Sequence, residues 1–217
     1  MANLKLYNYW RSSCSYRVRI ALALKNLPYE YQAVDIYPKS ATPEARAAYR
    51  AVNPQGYVPA LVDGDFTVGQ SLAILEYLEA AHPAPPLLPA DARRAAQVRA
   101  FCLIISADTQ PFQNLSTLAA LTERFGASEE QRTAWVRHWN ERGLKSAQCA
   151  LPPGETRYCF GDTPTLADCC LVPQMYSLKR FGGSLAGLER LVAITDRLNA
   201  LPAFAAAAPE RQPDAPR

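Results

Sequence analysis

The chain has 217 residues, 49% of them hydrophobic and 20% charged, with 23 Lys+Arg against 20 Asp+Glu and a formal net charge of +3. At roughly 100–200 residues per domain, this length predicts one large domain or two small ones, and either can bury a core without disulfides or metals. The small, evenly spread charge argues against a nucleic-acid partner, and the lack of an apolar run near ~18 residues argues against a membrane partner.

The cysteines and histidines indicate reduced thiols and no metal centre. No two cysteines form a CxxC pair, and Met1–Tyr9 lacks the basic start and apolar stretch of an export signal, so we expect a cytoplasmic protein. Neither His82 nor His138 lies near a cysteine cluster, which argues against a zinc site.

The first third of the chain alternates between strand and helix patterns in the order β-α-β-α-β-β-α. The first strand–helix–strand unit implies parallel pairing, and a tight hairpin around Asp63-Gly64 adds an antiparallel edge. Because the first helix is apolar on nearly all sides, it should be covered on two faces. The predicted segments are 4–9, 16–25, 29–36, 42–52, 60–62, 66–68 and 72–81.

A proline-rich stretch without periodicity follows, and beyond it the pattern is helical throughout. Helix caps are predicted at Asp91 and in two capping boxes that begin at Ser128 and Thr165. We therefore predict an α/β domain over residues 1–82, a stiff linker over 83–89 and an all-α domain over 90–217. The predicted helices of the second domain are 91–108, 128–149, 165–181 and 188–199, with a polar tail over 211–217.

The polar turn Arg11–Ser15 between the first strand and the first helix is the first candidate site. Ligands of open α/β sheets favour the carboxyl ends of strands, and a helix N-terminus there offers N–H groups and partial positive charge to an anion or thiolate. Ser12, Ser13 and Cys14 supply the side chains. The alternative is that these serines only cap the helix.

Two further segments are candidates of the same kind. Pro59 after Val58 opens the third strand, which marks either an ordinary edge proline or a cis bond. Ser71 after Gln70 lies at a second helix N-terminus, where it could hold a carboxylate or act only as a cap.

The spacing of these segments carries a resemblance to a known family. Ser12–Leu22 resembles SSCSWRVRIAL, the signature of the zeta class of glutathione transferases, except that Tyr16 stands in place of tryptophan. The chain is similar to that class over essentially its whole length. Further matching segments are Asn53-Pro54, Gln70–Ile74, Gln110–Ser116, Thr165–Asp168, Leu171–Gln174 and Arg211–Asp214.

The resemblance implies the cytosolic glutathione transferase fold, in which a thioredoxin-like domain precedes an all-α domain, and usually a homodimer. It implies glutathione as cofactor. It also implies glutathione-dependent cis–trans isomerisation of maleylacetoacetate to fumarylacetoacetate, by reversible addition of the thiolate to the C=C bond, in aromatic amino-acid catabolism.

The resemblance also implies residue roles in the glutathione site. Ser12 would stabilise the thiolate, with Ser13 and Cys14 lining the same pocket and Cys14 assisting rather than acting as nucleophile. Val58, before a cis-Pro59, would pair through its backbone with the cysteinyl part. The γ-glutamyl carboxylate would be held by Gln70 and Ser71, and the all-α domain would contribute Gln110, Asn114, Leu115 and Ser116.

A dicarboxylate substrate requires cations, and planar, always-charged arginines suit that role. Arg11 at the turn and Arg180, which matches an arginine that the family places beside the substrate, are the principal candidates, with Arg17 a lesser one. For Arg17 and Arg19 we expect a solvated surface charge somewhat more than a substrate role.

Three alternatives to the maleylacetoacetate activity stay open. Leu6–Arg11 and Phe160–Thr165 resemble bacterial maleylpyruvate isomerases of the gentisate pathway. Those enzymes, however, tend to carry threonine at Cys14 and arginines at Leu115 and Ser116. The others are a general glutathione transferase or thiol reductase, and a glutathione-fold protein kept only for binding.

Overall fold

The computed structural model describes residues 4–36 and 41–216, which form two compact units. The first unit combines the chain up to Leu87 with the residues from Leu201 onward, and the second is Leu88–Ala200. Whereas the sequence prediction groups residues 90–217 in one domain, the structure packs the last part of the chain with the first unit. No helix among the described residues is long and apolar enough to cross a membrane.

A four-stranded sheet forms the centre of the first unit, in the order β2-β1-β3-β4. As predicted, β1 pairs with β2 in parallel, and the β3–β4 hairpin pairs antiparallel along the other side of β1. The strands are β1 (Leu4–Asn8), β2 (Tyr29–Ala33), β3 (Ala60–Asp63) and β4 (Phe66–Gly69).

The helices confirm the predicted α/β first domain and helical second domain. The first helix begins at Ser13, earlier than the predicted Tyr16, because the Ser12 side chain caps it and the following polar residues form its first turn. The α-helices are α1 (Ser13–Leu24), α2 (Pro43–Val52), α3 (Ser71–Ala81), α4 (Ala92–Ser106), α5 (Leu115–Phe125), α6 (Glu129–Cys149), α7 (Leu166–Arg180), α8 (Glu189–Asn199) and α9 (Pro202–Ala207).

Helix α1 is the buried centre of the first unit. Every residue from Ser15 to Leu22 is buried, as its apolar pattern predicts, because α3 and α9 both pack against α1. The expectation that Arg17 and Arg19 are solvated is wrong, since each is only 1% exposed. Arg19 is satisfied by hydrogen bonds to Asn8 Oδ1 and to backbone carbonyls, and burial lowers the pKa of its guanidinium.

One buried ion pair fastens the proline-rich segment after α3 to α1. Lys25 Nζ lies 2.7 Å from Glu79 Oε2 and also donates to the carbonyl oxygens of His82 and Pro85. The Glu79 carboxylate accepts the backbone N–H of Leu87. The segment predicted as a stiff linker is therefore held by first-unit side chains at Pro85 and Leu87, and at His82 just before it.

The second unit contains α4–α8 and both predicted capping boxes. In the box before α7, the fully buried Asp168 carboxylate accepts the backbone N–H groups of Thr165 and Cys159, while its burial raises its pKa. Cys169 and Cys170 are buried in α7, where free cysteine packs as a small hydrophobic side chain.

Candidate active site

Three segments of the first unit meet at one edge of the sheet. In the strand register, Tyr7 pairs with Ala60, and Ala60 pairs with Gly69. The chain leaving β1, the chain entering β3 and the chain leaving β4 therefore lie at the same edge. These three segments contain the predicted residues Arg11, Ser12, Ser13, Cys14, Val58, Pro59, Gln70 and Ser71.

Ser12 occupies the N-cap position of α1. Its Oγ accepts the backbone N–H of Ser15 at 3.2 Å, and its own N–H donates to the Tyr9 carbonyl at 3.1 Å. The capping interpretation is thus confirmed. It does not exclude a chemical role, because a hydroxyl oxygen that accepts from the helix can still donate its proton to a bound anion.

The buried side chain of Arg17 contacts the first turns of both α1 and α3. Its Nη1 donates to Ser71 Oγ at 3.2 Å and lies 3.7 Å from Cys14 Sγ. Its Nε and Nη2 are buried and have no hydrogen-bond partner among the described residues. Because a guanidinium stays charged, these contacts place a buried positive charge beneath the two helix ends.

The electrostatics of this edge favour an anionic ligand. The α1 and α3 N-termini both lie here, and each contributes unsatisfied N–H groups and the positive end of a helix dipole. Arg17 adds a full charge within the same region. The two helix N-termini and the Arg17 guanidinium would each stabilise a thiolate or a carboxylate bound at this edge.

The chain entering β3 is shaped by a hydrogen-bonded loop. The Val58–Pro59 peptide bond is cis, as the resemblance implies. Just before it, the Tyr57 carbonyl accepts from the Tyr49 hydroxyl and from Asn53 Nδ2, each at 2.6 Å. Burial raises the pKa of Tyr49 to about 12, so it stays a neutral donor.

Tyr49 is a supporting residue that the sequence analysis did not identify. It lies in α2, outside the short segments that carry the resemblance to the family, and the nearest signal in the sequence is the Asn53-Pro54 pair.

The chain leaving β4 turns sharply into α3. The prediction that Ser71 caps this helix is wrong, because Gln70 holds the N-cap position, with φ +64°, and Ser71 is the first helical residue. The Ser71 hydroxyl is turned to Arg17 instead. Gln70 Nε2 donates to Gln55 Oε1 at 2.7 Å, which ties this turn to the loop before Pro59.

The remaining predicted site residues lie in the second unit. Gln110 Nε2 donates to Asn114 Oδ1 at 3.3 Å, and Asn114 precedes the first residue of α5. Leu115 and Ser116 form the exposed first turn of that helix. These four residues therefore cluster around one helix N-terminus.

The proposed substrate arginines differ in setting. Arg11 is half-buried in the first unit, with its guanidinium 5.1 Å from the centre of the Trp10 ring. Arg180 is exposed at the end of α7 in the second unit, 4.8 Å from the Phe181 ring. Arg17 is buried beneath Cys14, where it is placed to act on the site rather than on a substrate at the surface.

Comparison with known proteins gives consistent matches. Residues 11–81 match the family model described as glutathione S-transferase, N-terminal domain. The chain is 44% identical to a probable maleylacetoacetate isomerase of Vibrio cholerae, over 99% of this chain and 100% of that protein.

Solved structures agree with the sequence matches. A holo structure of a maleylpyruvate isomerase, described as a bacterial zeta-class glutathione S-transferase, has a TM-score of 0.91 and 45% identity, covering 98% of this chain and 100% of that one. A maleylacetoacetate isomerase of Anaeromyxobacter dehalogenans with bound GSH has a TM-score of 0.87 and 44% identity, covering 99% of each chain. The same protein has been solved with bound dicarboxyethyl glutathione and citrate, at a TM-score of 0.85 and 42% identity, covering 100% of this chain and 99% of that one.

Proposed function

Because this chain belongs to the zeta class of glutathione transferases, we propose that it isomerises maleylacetoacetate to fumarylacetoacetate with glutathione as cofactor. The observation that carries the proposal is that Ser12, which caps α1, and the Arg17–Ser71 pair lie at the same edge of the sheet. When bound, glutathione supplies a thiolate whose reversible addition to the conjugated C=C bond frees that bond to rotate.

The residues present fit glutathione. The tripeptide carries a thiol and two carboxylates, and this edge offers two helix N-termini together with the positive charge of the buried Arg17 guanidinium. In this proposal the Ser12 hydroxyl donates a hydrogen bond to the thiolate sulfur. Ser71, whose oxygen accepts from Arg17, can turn its own proton to the γ-glutamyl carboxylate.

The other glutathione contacts are proposed on the family resemblance together with position. Val58 presents its backbone beside the cis-Pro59 bond, and Gln70 flanks Ser71. Ser13 and Cys14 lie in the first turn of α1, where their N–H groups belong to the helix N-terminus. The proposed glutathione contacts of the second unit are Gln110, Asn114, Leu115 and Ser116.

The proposed substrate is a dicarboxylate, and arginine is the side chain best suited to hold one. Arg11 immediately precedes Ser12 in the turn after β1, and we assign it to a substrate carboxylate. Arg180 is assigned the same role from the second unit. Dicarboxyethyl glutathione, bound to the related Anaeromyxobacter protein, joins glutathione to a group with two carboxylates.

Maleylpyruvate isomerisation is the second candidate, because a maleylpyruvate isomerase matches this chain with a TM-score of 0.91, the same value as a maleylacetoacetate isomerase. The side chains favour maleylacetoacetate. This chain has Cys14, Leu115 and Ser116 where maleylpyruvate isomerases tend to carry a threonine and two arginines.

We also propose that the protein works in the cytoplasm as a homodimer. Its six cysteines are free thiols, as suits a reducing compartment. Large apolar side chains such as Leu103 on α4 and Phe66 on β4, 50% and 44% exposed, offer surface for a second copy.

Replacing Ser12 tests the proposed mechanism. Ser12→Ala should lower kcat by about a hundredfold while changing glutathione affinity far less, since it removes a donor to the developing charge. It also removes a helix cap, so Ser128→Ala, which removes the cap of α6, is the matched control. Ser12→Thr should retain most activity, and an Ala variant with wild-type turnover would overturn the role.

A further inference from the structure

The C-terminal tail returns to the first unit and contacts the turn that presents Ser12. Asp214 Oδ2 accepts the backbone N–H of Trp10 at 3.0 Å, and its Oδ1 accepts the hydroxyl of Tyr31. A single tail carboxylate therefore joins β2 to the chain just after β1.

Trp10 is a central residue of the turn that ends at Ser12. The Ser12 N–H donates to the Tyr9 carbonyl at 3.1 Å, which leaves Trp10 and Arg11 at the two middle positions of a four-residue turn. The orientation of the Trp10 peptide groups therefore sets how the chain enters α1.

The backbone N–H and the backbone carbonyl of Trp10 are each held by a side-chain hydrogen bond. Asp214 holds its N–H, and Arg19 Nη2 donates to its carbonyl at 2.8 Å. The same Arg19 guanidinium donates through Nε to the Ala207 carbonyl at 3.1 Å. The turn is thus held directly by Asp214 and indirectly by the end of α9.

The tail is itself ordered by hydrogen bonds. Gln212, only 9% exposed, donates through Nε2 to the carbonyls of Ala206 and Ala208, at 3.0 and 2.8 Å. The tail therefore carries Asp214 to Trp10 as a folded segment, held by hydrogen bonds within the protein itself.

From these contacts we propose that Asp214 is a positioning residue for the reaction, which holds the Trp10–Ser12 turn so that the Ser12 hydroxyl faces the glutathione sulfur. The proposal rests on the role of Ser12 in the proposed function. A hydroxyl stabilises a thiolate only within hydrogen-bond distance, and displacement of a reacting group by about 1 Å can cost 10²-fold in rate. Asp214 would act through the backbone and touch neither glutathione nor substrate.

Three variants separate positioning from general stability. Asp214→Ala removes both contacts. Asp214→Asn keeps the shape, since its amide oxygen can accept from Trp10 while its NH₂ group donates to the Tyr31 oxygen. Asp91→Ala is the matched control, because Asp91 Oδ1 also accepts a backbone N–H, that of Arg94, as the cap of α4 in the second unit.

The primary measurement is titration of the thiol of bound glutathione, followed by the ultraviolet absorbance of its thiolate. In Asp214→Ala we expect that thiol to titrate about one pH unit higher than in wild type, as loss of one hydrogen bond to the thiolate predicts. The kcat/KM for isomerisation should fall about tenfold or more. Asp214→Asn should keep the thiol titration and the kcat/KM close to those of wild type, and Asp91→Ala should leave the titration and the kcat/KM unchanged.

The outcomes distinguish this proposal from the proposed function. An Asp214→Ala variant with the wild-type thiol titration and kcat, changed only in thermal stability, would overturn positioning and leave a structural tail. If the wild type turns over neither maleyl substrate while Asp214→Ala still shifts the titration, the proposed function fails and the positioning role stands.

Discussion

Arg17 Nη1 donates to Ser71 Oγ at 3.2 Å, so one buried cation joins the N-termini of two helices that are far apart in the sequence. Within the described residues Arg17 forms no ion pair with a carboxylate, and two of its nitrogens have no hydrogen-bond partner. Burying a charge without a paired carboxylate lowers the free energy of unfolding. Arg17 therefore serves binding rather than stability.

Replacement of Arg17 by an apolar side chain should therefore separate stability from binding. Arg17→Met should keep the thermal unfolding midpoint or raise it, because an incompletely paired buried charge is removed. It should also weaken glutathione binding about tenfold or more, as loss of a charged hydrogen bond predicts. Calorimetric titration with glutathione and a thermal melt of the same samples measure both.

A double-mutant cycle with Ser71→Ala supplies the control. If Arg17 orients the Ser71 hydroxyl, the two substitutions should weaken binding by less together than the sum of their separate effects. Strictly additive effects would show that the two residues act independently and would contradict this account of the pair.

The buried pair Lys25–Glu79 should contribute strongly to stability. The side chain of Lys25 is fully buried and that of Glu79 is 14% exposed, so Lys25→Met removes a buried ammonium that pairs with a largely buried carboxylate. We expect a loss of about 3–5 kcal/mol in the free energy of unfolding. Urea denaturation of the purified variant measures it.

The surface pair Lys5–Glu30 provides the comparison, at 3.0 Å with side chains 34% and 54% exposed. Lys5→Met should leave the denaturation midpoint close to that of wild type, since exposed ion pairs contribute little. If Lys25→Met and Lys5→Met lowered the free energy of unfolding equally, burial would not be what makes the Lys25–Glu79 pair stabilising.

Tyr31 should make the fold sensitive to alkaline pH. Burial, together with its hydrogen bond to the Asp214 carboxylate, raises the pKa of Tyr31 above that of an unfolded tyrosine. At a pH between the pKa of the unfolded tyrosine, about 10, and the raised pKa in the fold, the unfolded chain has lost a proton that the folded chain keeps. The contribution of Tyr31 to stability is therefore full below about pH 10 and falls as pH rises further.

The test is a series of denaturation curves at increasing pH for wild type and Tyr31→Phe. The variant should be less stable at neutral pH, because it lacks the hydrogen bond, but its stability should decline less steeply above about pH 10. Parallel curves throughout would show that Tyr31 does not titrate with folding.

Most of the fold could be predicted from local patterns. The β-α-β-α-β-β-α order, both capping boxes and the buried α1 follow from periodicity and capping chemistry, which act over a few residues. Ser12 could also be identified, because a helix N-terminus after the first strand is a local feature.

The misplacement of two arginines and of the tail has a common physical origin in contacts between distant parts of the chain, whereas the error at Ser71 is local and lies in the backbone of Gln70. The charge of Arg17 and Arg19 predicts a surface position. Their burial depends on hydrogen bonds to Ser71 and Ala207, which lie far along the sequence and leave no local pattern. In the same way, the tail looked merely polar, whereas Asp214 reaches Trp10 only once the chain has folded. Hydrophobic periodicity carries no information about such pairings.

The most direct test of the central claim is the rate of isomerisation of maleylacetoacetate and of maleylpyruvate, measured side by side with and without glutathione. The account predicts turnover of maleylacetoacetate that requires glutathione and clearly exceeds turnover of maleylpyruvate. The reverse preference would show that the pocket is built for maleylpyruvate. Turnover of maleylacetoacetate that persists without glutathione, or the absence of any turnover, would contradict the mechanism.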